Sequence, residues 1–132
     1  MAKTVLSTGI IVRGSEDYNA GAAVVNLDPK NDVTVTVEMF DWGVEDLWSN
    51  PTPIQVGPEA TSTIGPTTQR DFGALITQST AQPGLNLVLY EIRITLSTID
   101  NVVINCNATD VNGQPIAGKT IRHKDLVAIP AL

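Results

Sequence analysis

Apolar and polar residues alternate with a period of two over three stretches of the chain. Between 32 and 41, Val33, Val35, Val37 and Met39 share one parity, and Thr34, Thr36 and Glu38 the other. Between 88 and 96, Val88, Tyr90, Ile92, Ile94 and Leu96 alternate with Glu91, Arg93 and Thr95. Between 102 and 109, Val102, Ile104, Cys106 and Ala108 alternate with Asn105, Asn107 and Thr109. Successive side chains of an extended strand point to opposite faces, so each stretch predicts a strand with one face in a core and one in water. The apolar run 20–27 predicts a strand covered on both faces. Shorter candidates lie at 54–56, 61–64 and 72–76, in and just beyond a looser region from 42 to 72 rich in Pro, Thr and Gly. There, only 44–49 has the makings of a helical turn.

Two links follow from turn chemistry. The polar segment 97–101 joins two alternating runs and predicts a hairpin loop. Asn112-Gly113 is the favoured pair for a two-residue type I′ turn, whose central residues both need positive φ. That turn would set Ala108 opposite Ala117 and Ile104 opposite Ile121, making a three-stranded meander of the chain from 85 to about 123. Roughly eight to ten short strands at this spacing predict an all-β chain, an antiparallel β-sandwich of jelly-roll type. No internal repeat is visible.

Composition narrows the function classes. The 132 residues suit one domain. Lys and Arg number 8 against 14 Asp and Glu, a net charge of −6. Phosphate binding needs clustered cations, so nucleic acid is not an expected partner. At 42% hydrophobic and 17% charged residues, the chain is globular rather than disordered. One cysteine excludes an internal disulfide framework and a Cys-rich zinc module. No run is long and apolar enough to enter a membrane. Ser7, Thr8 and Gly9 interrupt the opening apolar run, so no signal peptide is expected.

The candidates for chemistry are sparse. His123, with Asp125 beside it, lacks a serine in a nucleophile context, and no Gly-x-Ser-x-Gly elbow exists, so it reads as an ordinary strand histidine. Arg122, His123 and Lys124 would alternate faces on a strand and form no single basic patch. Asp41, Glu45 and Asp46 flank Trp42 and Trp48, a ligand surface for a sugar or a loop for calcium; the spacing lacks an EF-hand ladder. The competing reading has the tryptophans capping the core and the acids facing water. Asp28, Asn31 and Asp32 around Pro29 are turn formers. Cys106 lies on an apolar strand face and is expected buried and reduced. Asn107-Ala108-Thr109 matches a glycosylation acceptor by chance. No enzyme, no cofactor and no metal site is expected.

The N-terminal run carries Val5, Leu6, Ile10, Ile11 and Val12, is free of proline and almost uncharged. It is either the first strand of its own sandwich or a strand donated to a neighbour, whose open edge and apolar groove it would fill. About nine residues at strand rise reach about 30 Å, enough to bridge adjacent small domains. Donor and acceptor surfaces differ, so such a contact runs head to tail and propagates.

Asn112-Gly113 followed by Ile121-Arg122-His123-Lys124-Asp125-Leu126-Val127, within 109–127, resembles the C-terminal signature of small all-β spore-surface proteins of spore-forming Firmicutes. So do Val24-Val25-Asn26-Leu27 with the strand 33–42, and Tyr90-Glu91-Ile92-Arg93-Ile94-Thr95; together they cover most of 20–129. The resemblance implies a subunit of an endospore-appendage fibre, with a jelly-roll domain at 14–132 and an N-terminal connector and donor strand at 1–13. Within the connector, Leu6, Ile10 and Val12 would be the buried anchors. The implied partner is the chain itself as a homo-polymer, with a spore-coat anchor or tip adhesin at its ends. The implied location is the extracellular spore surface, after assembly in the mother cell. Better-known appendage subunits carry cysteines in this connector; residues 1–13 have none, which implies a fibre held without covalent links there. The alternatives are a carbohydrate-binding module using Trp42 and Trp48, and a phage or capsid decoration protein.

Overall fold

The computed structural model describes residues 3–43, 53–56, 59–77, 86–116 and 118–130. The strands are β1 (Thr4–Ser7), β2 (Ile11–Val12), β3 (Asn19–Asn26), β4 (Val33–Gly43), β5 (Ile54–Gln55), β6 (Ala60–Ile64), β7 (Thr68–Leu75), β8 (Leu89–Leu96), β9 (Val102–Thr109), β10 (Ile121–Arg122) and β11 (Val127–Ile129). They form two antiparallel sheets. The larger runs β11-β1-β8-β4-β5, with β2 also on β8 and β6 also on β4; the smaller runs β10-β9-β3-β7. The predicted helical turn at 44–49 lies outside the described residues.

Alternation explains the core. Leu6, Val35, Val37, Met39, Ile92, Ile94 and Leu96 of the larger sheet meet Ala22, Val24, Ile104 and Cys106 of the smaller one in a single buried cluster. Removing a Val, Leu or Ile side chain from water contributes about 1.5–3 kcal/mol. The strand predicted at 20–27 is β3, the inner strand of the smaller sheet between β9 and β7. Its inward residues Ala20, Ala22, Val24 and Asn26 are buried, whereas its outward Ala23 and Val25 are half-buried, so it is not covered on both faces. Asn26 is tolerated inside because its amide donates to the carbonyls of Asn31 at 2.9 Å and Ile64 at 3.1 Å. Gly21 answers a close approach: a Cβ there would lie 1.8 Å from the Phe72 carbonyl oxygen on β7.

Two predicted links are corrected. Segment 97–101 is no hairpin loop, because it carries the chain from β8 in the larger sheet to β9 in the smaller. Both edges of β8 are taken by β1 and β4, so β9 has no place beside it and pairs with β3 and β10 instead. The crossing is pinned at both ends: Ser97 N–H donates to Thr34 O at 3.0 Å and Leu27 N–H to Asn101 O at 2.7 Å. Asn101 takes φ 59°. The meander from 85 to 123 therefore does not exist.

The hairpin after β9 does exist, but not on a two-residue turn. Asp110 organises a wider loop, its Oδ1 accepting from the N–H of Asn112 at 2.9 Å and of Gln114 at 3.0 Å. Of Asn112 and Gly113 only the glycine has positive φ. Thr109 bridges Pro115, and Ile121 faces Cys106 rather than Ile104. Ala117 lies outside the described residues.

Candidate functional site

The N-terminal strand is where the sequence placed function, and its geometry is well defined. In this chain β1 lies inside the larger sheet of its own molecule. Leu6 faces Ile94 on β8 and Ala128 on β11; Ser7 faces Arg93 and Val127. Of the two readings of this run, the single chain adopts the intramolecular one, and residues 3–13 do not project from the body as a free connector. The backbone reason is direct. Pairing on both edges satisfies N–H and C=O groups that a projecting strand would leave to water.

From Ser7↔Arg93 to Ile11↔Tyr90 the N-terminal strand advances four residues while β8 advances three. That extra residue is a bulge, and Gly9 absorbs it at φ +71°. Thr8 bridges the gap: its N–H donates to Ile92 O at 3.1 Å and its Oγ1 accepts from Ile92 N–H at 3.0 Å. The bulge shifts the alternation by one position. Leu6 is buried before it and Ile11 packs against the core after it, while Ile10 is 55% and Val12 61% exposed. Of the expected anchors only Leu6 is buried; Ile10 and Val12 are corrected to surface positions. Val5 is half-buried between Thr95 and Ile129.

On the outer face, a polar cluster holds β1 to β8. Ser7 Oγ donates to Glu91 Oε2, Trp42 Nε1 donates to Glu91 Oε1 at 2.9 Å, and Arg93 Nε donates to Glu91 Oε2 at 2.9 Å. Burial opposes the charge on Glu91, but the hydrogen bonds from Arg93, Ser7 and Trp42 outweigh it and its pKa lies below the ordinary glutamate value. The Arg93 guanidinium lies 4.4 Å from the centre of the Phe40 ring. The sequence held a sign of the cluster in the alternation of Glu91 and Arg93, but nothing local linked them to Ser7, 84 residues away in the case of Glu91.

The other candidates disperse. Trp42 spends its indole N–H on Glu91, and Trp48, Glu45 and Asp46 lie outside the described residues. Asp41 is buried, not solvent-facing, because it falls on the inward parity of β4 opposite Tyr90. His123 opens a 3-10 turn (His123–Asp125) rather than sitting in a strand, and its Nδ1 accepts from Ile104 N–H at 3.1 Å. Asp28 is a turn former: its Oδ1 accepts from the N–H of Lys30 at 2.8 Å and of Asn31 at 3.0 Å. Cys106 is buried, and burial pushes its thiol up to about 12. Burial, with the nearby Asp17 charge, likewise pushes Tyr90 up to about 12. Among the described residues no three His, Cys, Asp or Glu side chains are grouped to hold a metal ion, and no helix is long and apolar enough to cross a membrane.

Sequence missed a second cluster, around Asp17. This carboxylate is 1% exposed; its Oδ2 accepts from Gly14 N–H at 2.8 Å and lies 3.4 Å from Lys119 Nζ. Nothing in the local sequence around Asp17 pointed to a lysine 102 positions on.

No family model matches the chain, and no curated protein matches it. A solved structure, the crystal structure of Thermotoga maritima 1070, aligns over 96% of this chain and 90% of its own, at 10% identity and a TM-score of 0.47. That likeness is too low to carry a functional argument.

Proposed function

We propose that this protein is a structural subunit that assembles head to tail into extracellular fibres by exchange of its N-terminal strand. The observation that carries the reading is the place of β1. It is a terminal strand in an inner position, and the strands on either side of it, β8 and β11, come from the far end of the chain. Withdrawing it opens a slot between β8 and β11 that the β1 of another copy fits with the same pairings, the same Leu6 contact and the same Ser7–Glu91 hydrogen bond. Exchange therefore gives up no native interaction, and closed self-pairing and open polymer differ mainly in the hinge at Gly9. Because slot and strand are different surfaces, one-way donation runs head to tail and propagates, whereas reciprocal exchange between two copies would close a dimer and count against the proposal.

The finer fold belongs to the same proposal: a jelly-roll variant, supported by a chain that passes repeatedly between two sheets and departing from the usual order in placing β3 inside its sheet. The resemblance of the three segments above supports an endospore-appendage setting on the spore surface, with a coat anchor or tip adhesin as end partners.

The test is negative-stain microscopy of the full chain, refolded at high concentration so that strands can exchange. Filaments are expected, and a synthetic peptide of residues 1–13 added in excess should shorten them. Monomers at every concentration, or closed rings, overturn the proposal.

A further inference from the structure

The cluster at Asp17 has a feature that an ion pair alone leaves unexplained. Asp17 Oδ1 is buried with no hydrogen-bond partner, while Oδ2 takes both the Gly14 N–H at 2.8 Å and the approach of Lys119 Nζ at 3.4 Å. A buried carboxylate oxygen without a donor is among the costlier defects a fold can carry. Lys119 Nζ already donates to Val12 O at 2.9 Å, which holds the amine beside the carboxyl group.

We propose that Lys119 and Asp17 condense into an isopeptide bond, with Oδ1 as the oxygen that leaves. One Nζ proton passes to the carboxylate, leaving a neutral amine and a carboxylic acid. The amine lone pair then attacks Cγ, and negative charge builds on Oδ2, to which the Gly14 N–H already donates. Oδ1, protonated in the first step, takes a second Nζ proton; the C–O bond breaks and one water departs as the C–N bond is completed. Nothing is oxidised or reduced, and both hydrogens of the water come from Nζ. Effective concentration drives the step, because the two groups are held together by the fold.

The hydrogen-bond inventory closes in the product. Oδ2 becomes the amide oxygen and keeps Gly14; the remaining N–H keeps Val12 O; the unpartnered oxygen is gone. Arg13, whose Nε donates to Asp17 O at 2.9 Å, fixes the segment that bears the carboxyl group. A cavity of about 440 Å³ lined in part by Arg13, Glu16, Asp17 and Asp110 gives the water an exit. The bond would tie the segment before β3 to the segment before β10. It does not rest on strand exchange: Asp17 and Lys119 lie outside residues 1–13, and only the Val12 carbonyl that holds the amine lies within them.

Intact-mass measurement of the folded protein tests this, with a peptide map of the same sample. The expected result is a mass lower by one water and a branched peptide joining Asp17 to Lys119, with Lys119→Arg at full mass. A wild-type protein at full mass, or a loss of water retained in Lys119→Arg, overturns the proposal. Should Lys119→Arg fail to fold, the peptide map of the wild type decides alone: the branched peptide supports the bond and its absence overturns it.

Discussion

The two sheets reach similar burial by different routes. In the smaller sheet, β3 pairs over its full eight residues with both β7 and β9, and the strand interior is sealed by small residues at Ala20, Gly21 and Ala22. In the larger sheet, the corresponding inner place beside β8 is filled by a four-residue terminal strand, a bulge and a two-residue strand. Long continuous ladders are lost only with global unfolding. A short terminal strand held by one core side chain and one polar cluster opens locally and at lower free energy. The smaller sheet is therefore the platform, and the larger sheet holds the strand that the proposed exchange would move.

Substitutions separate these roles. Ile104, fully buried in the smaller sheet, should cost about 4 kcal/mol as Ile104→Ala, within the usual range for such truncations. Urea unfolding should show this as a single cooperative transition at a lower midpoint, and added N-terminal peptide should not restore it. Gly21→Ala comes next. The clashing atom is a backbone oxygen that no rotamer change can move, so β3 and β7 must part, at about 3 kcal/mol, the upper end of overpacking costs. Its readout is amide exchange, faster in β7 than in β8.

Leu6→Ala probes the other sheet. It empties a site that is 4% exposed, but on a short terminal strand, so about 2–3 kcal/mol is expected. Here added peptide of residues 1–13 should restore the midpoint; a failure to do so would place β1 on the same footing as β3 and erase the contrast. Because Leu6 lies on the strand proposed to exchange and Lys119 does not, the mass deficit proposed for the Asp17–Lys119 pair should persist in Leu6→Ala.

The smallest effect concerns Glu91. Its folded pKa lies below the value of 4.5 that applies unfolded. Its contribution is therefore complete above about pH 4.5 and is lost as pH falls through the lower folded value. Stability curves from pH 6 to pH 3 should show this fall in the wild type, and a shallower one in Glu91→Gln. Ser7→Ala, which removes one donor to that carboxylate, should cost about 1–2 kcal/mol.

Much of the architecture was legible along the chain. Strands β4, β8 and β9, and the inward parity of their residues, followed from period-two alternation, because the direction of a side chain on a strand depends only on its position along the chain; β3 followed from its apolar run, but not which of its faces is buried. The burial of Cys106 followed in the same way, and the turn at Asp28 followed from turn chemistry. Pairing partners were not legible. The crossing at 97–101 leaves no local mark distinguishing it from a hairpin, and the bulge that turned Ile10 and Val12 outward leaves only Gly9 as a sign.

The sequence by itself determined that this is an all-β chain, which faces of its main strands are buried, and that its N-terminal run is a strand. Only the tertiary structure decided which sheet each strand joins, that β1 takes an inner position between β8 and β11, and that Asp17 meets Lys119. The reason is the range of the forces involved. Alternation is written residue by residue, whereas strand pairing and the juxtaposition of buried charges are settled by competition among segments far apart in the chain, where one occupied edge excludes every other claimant.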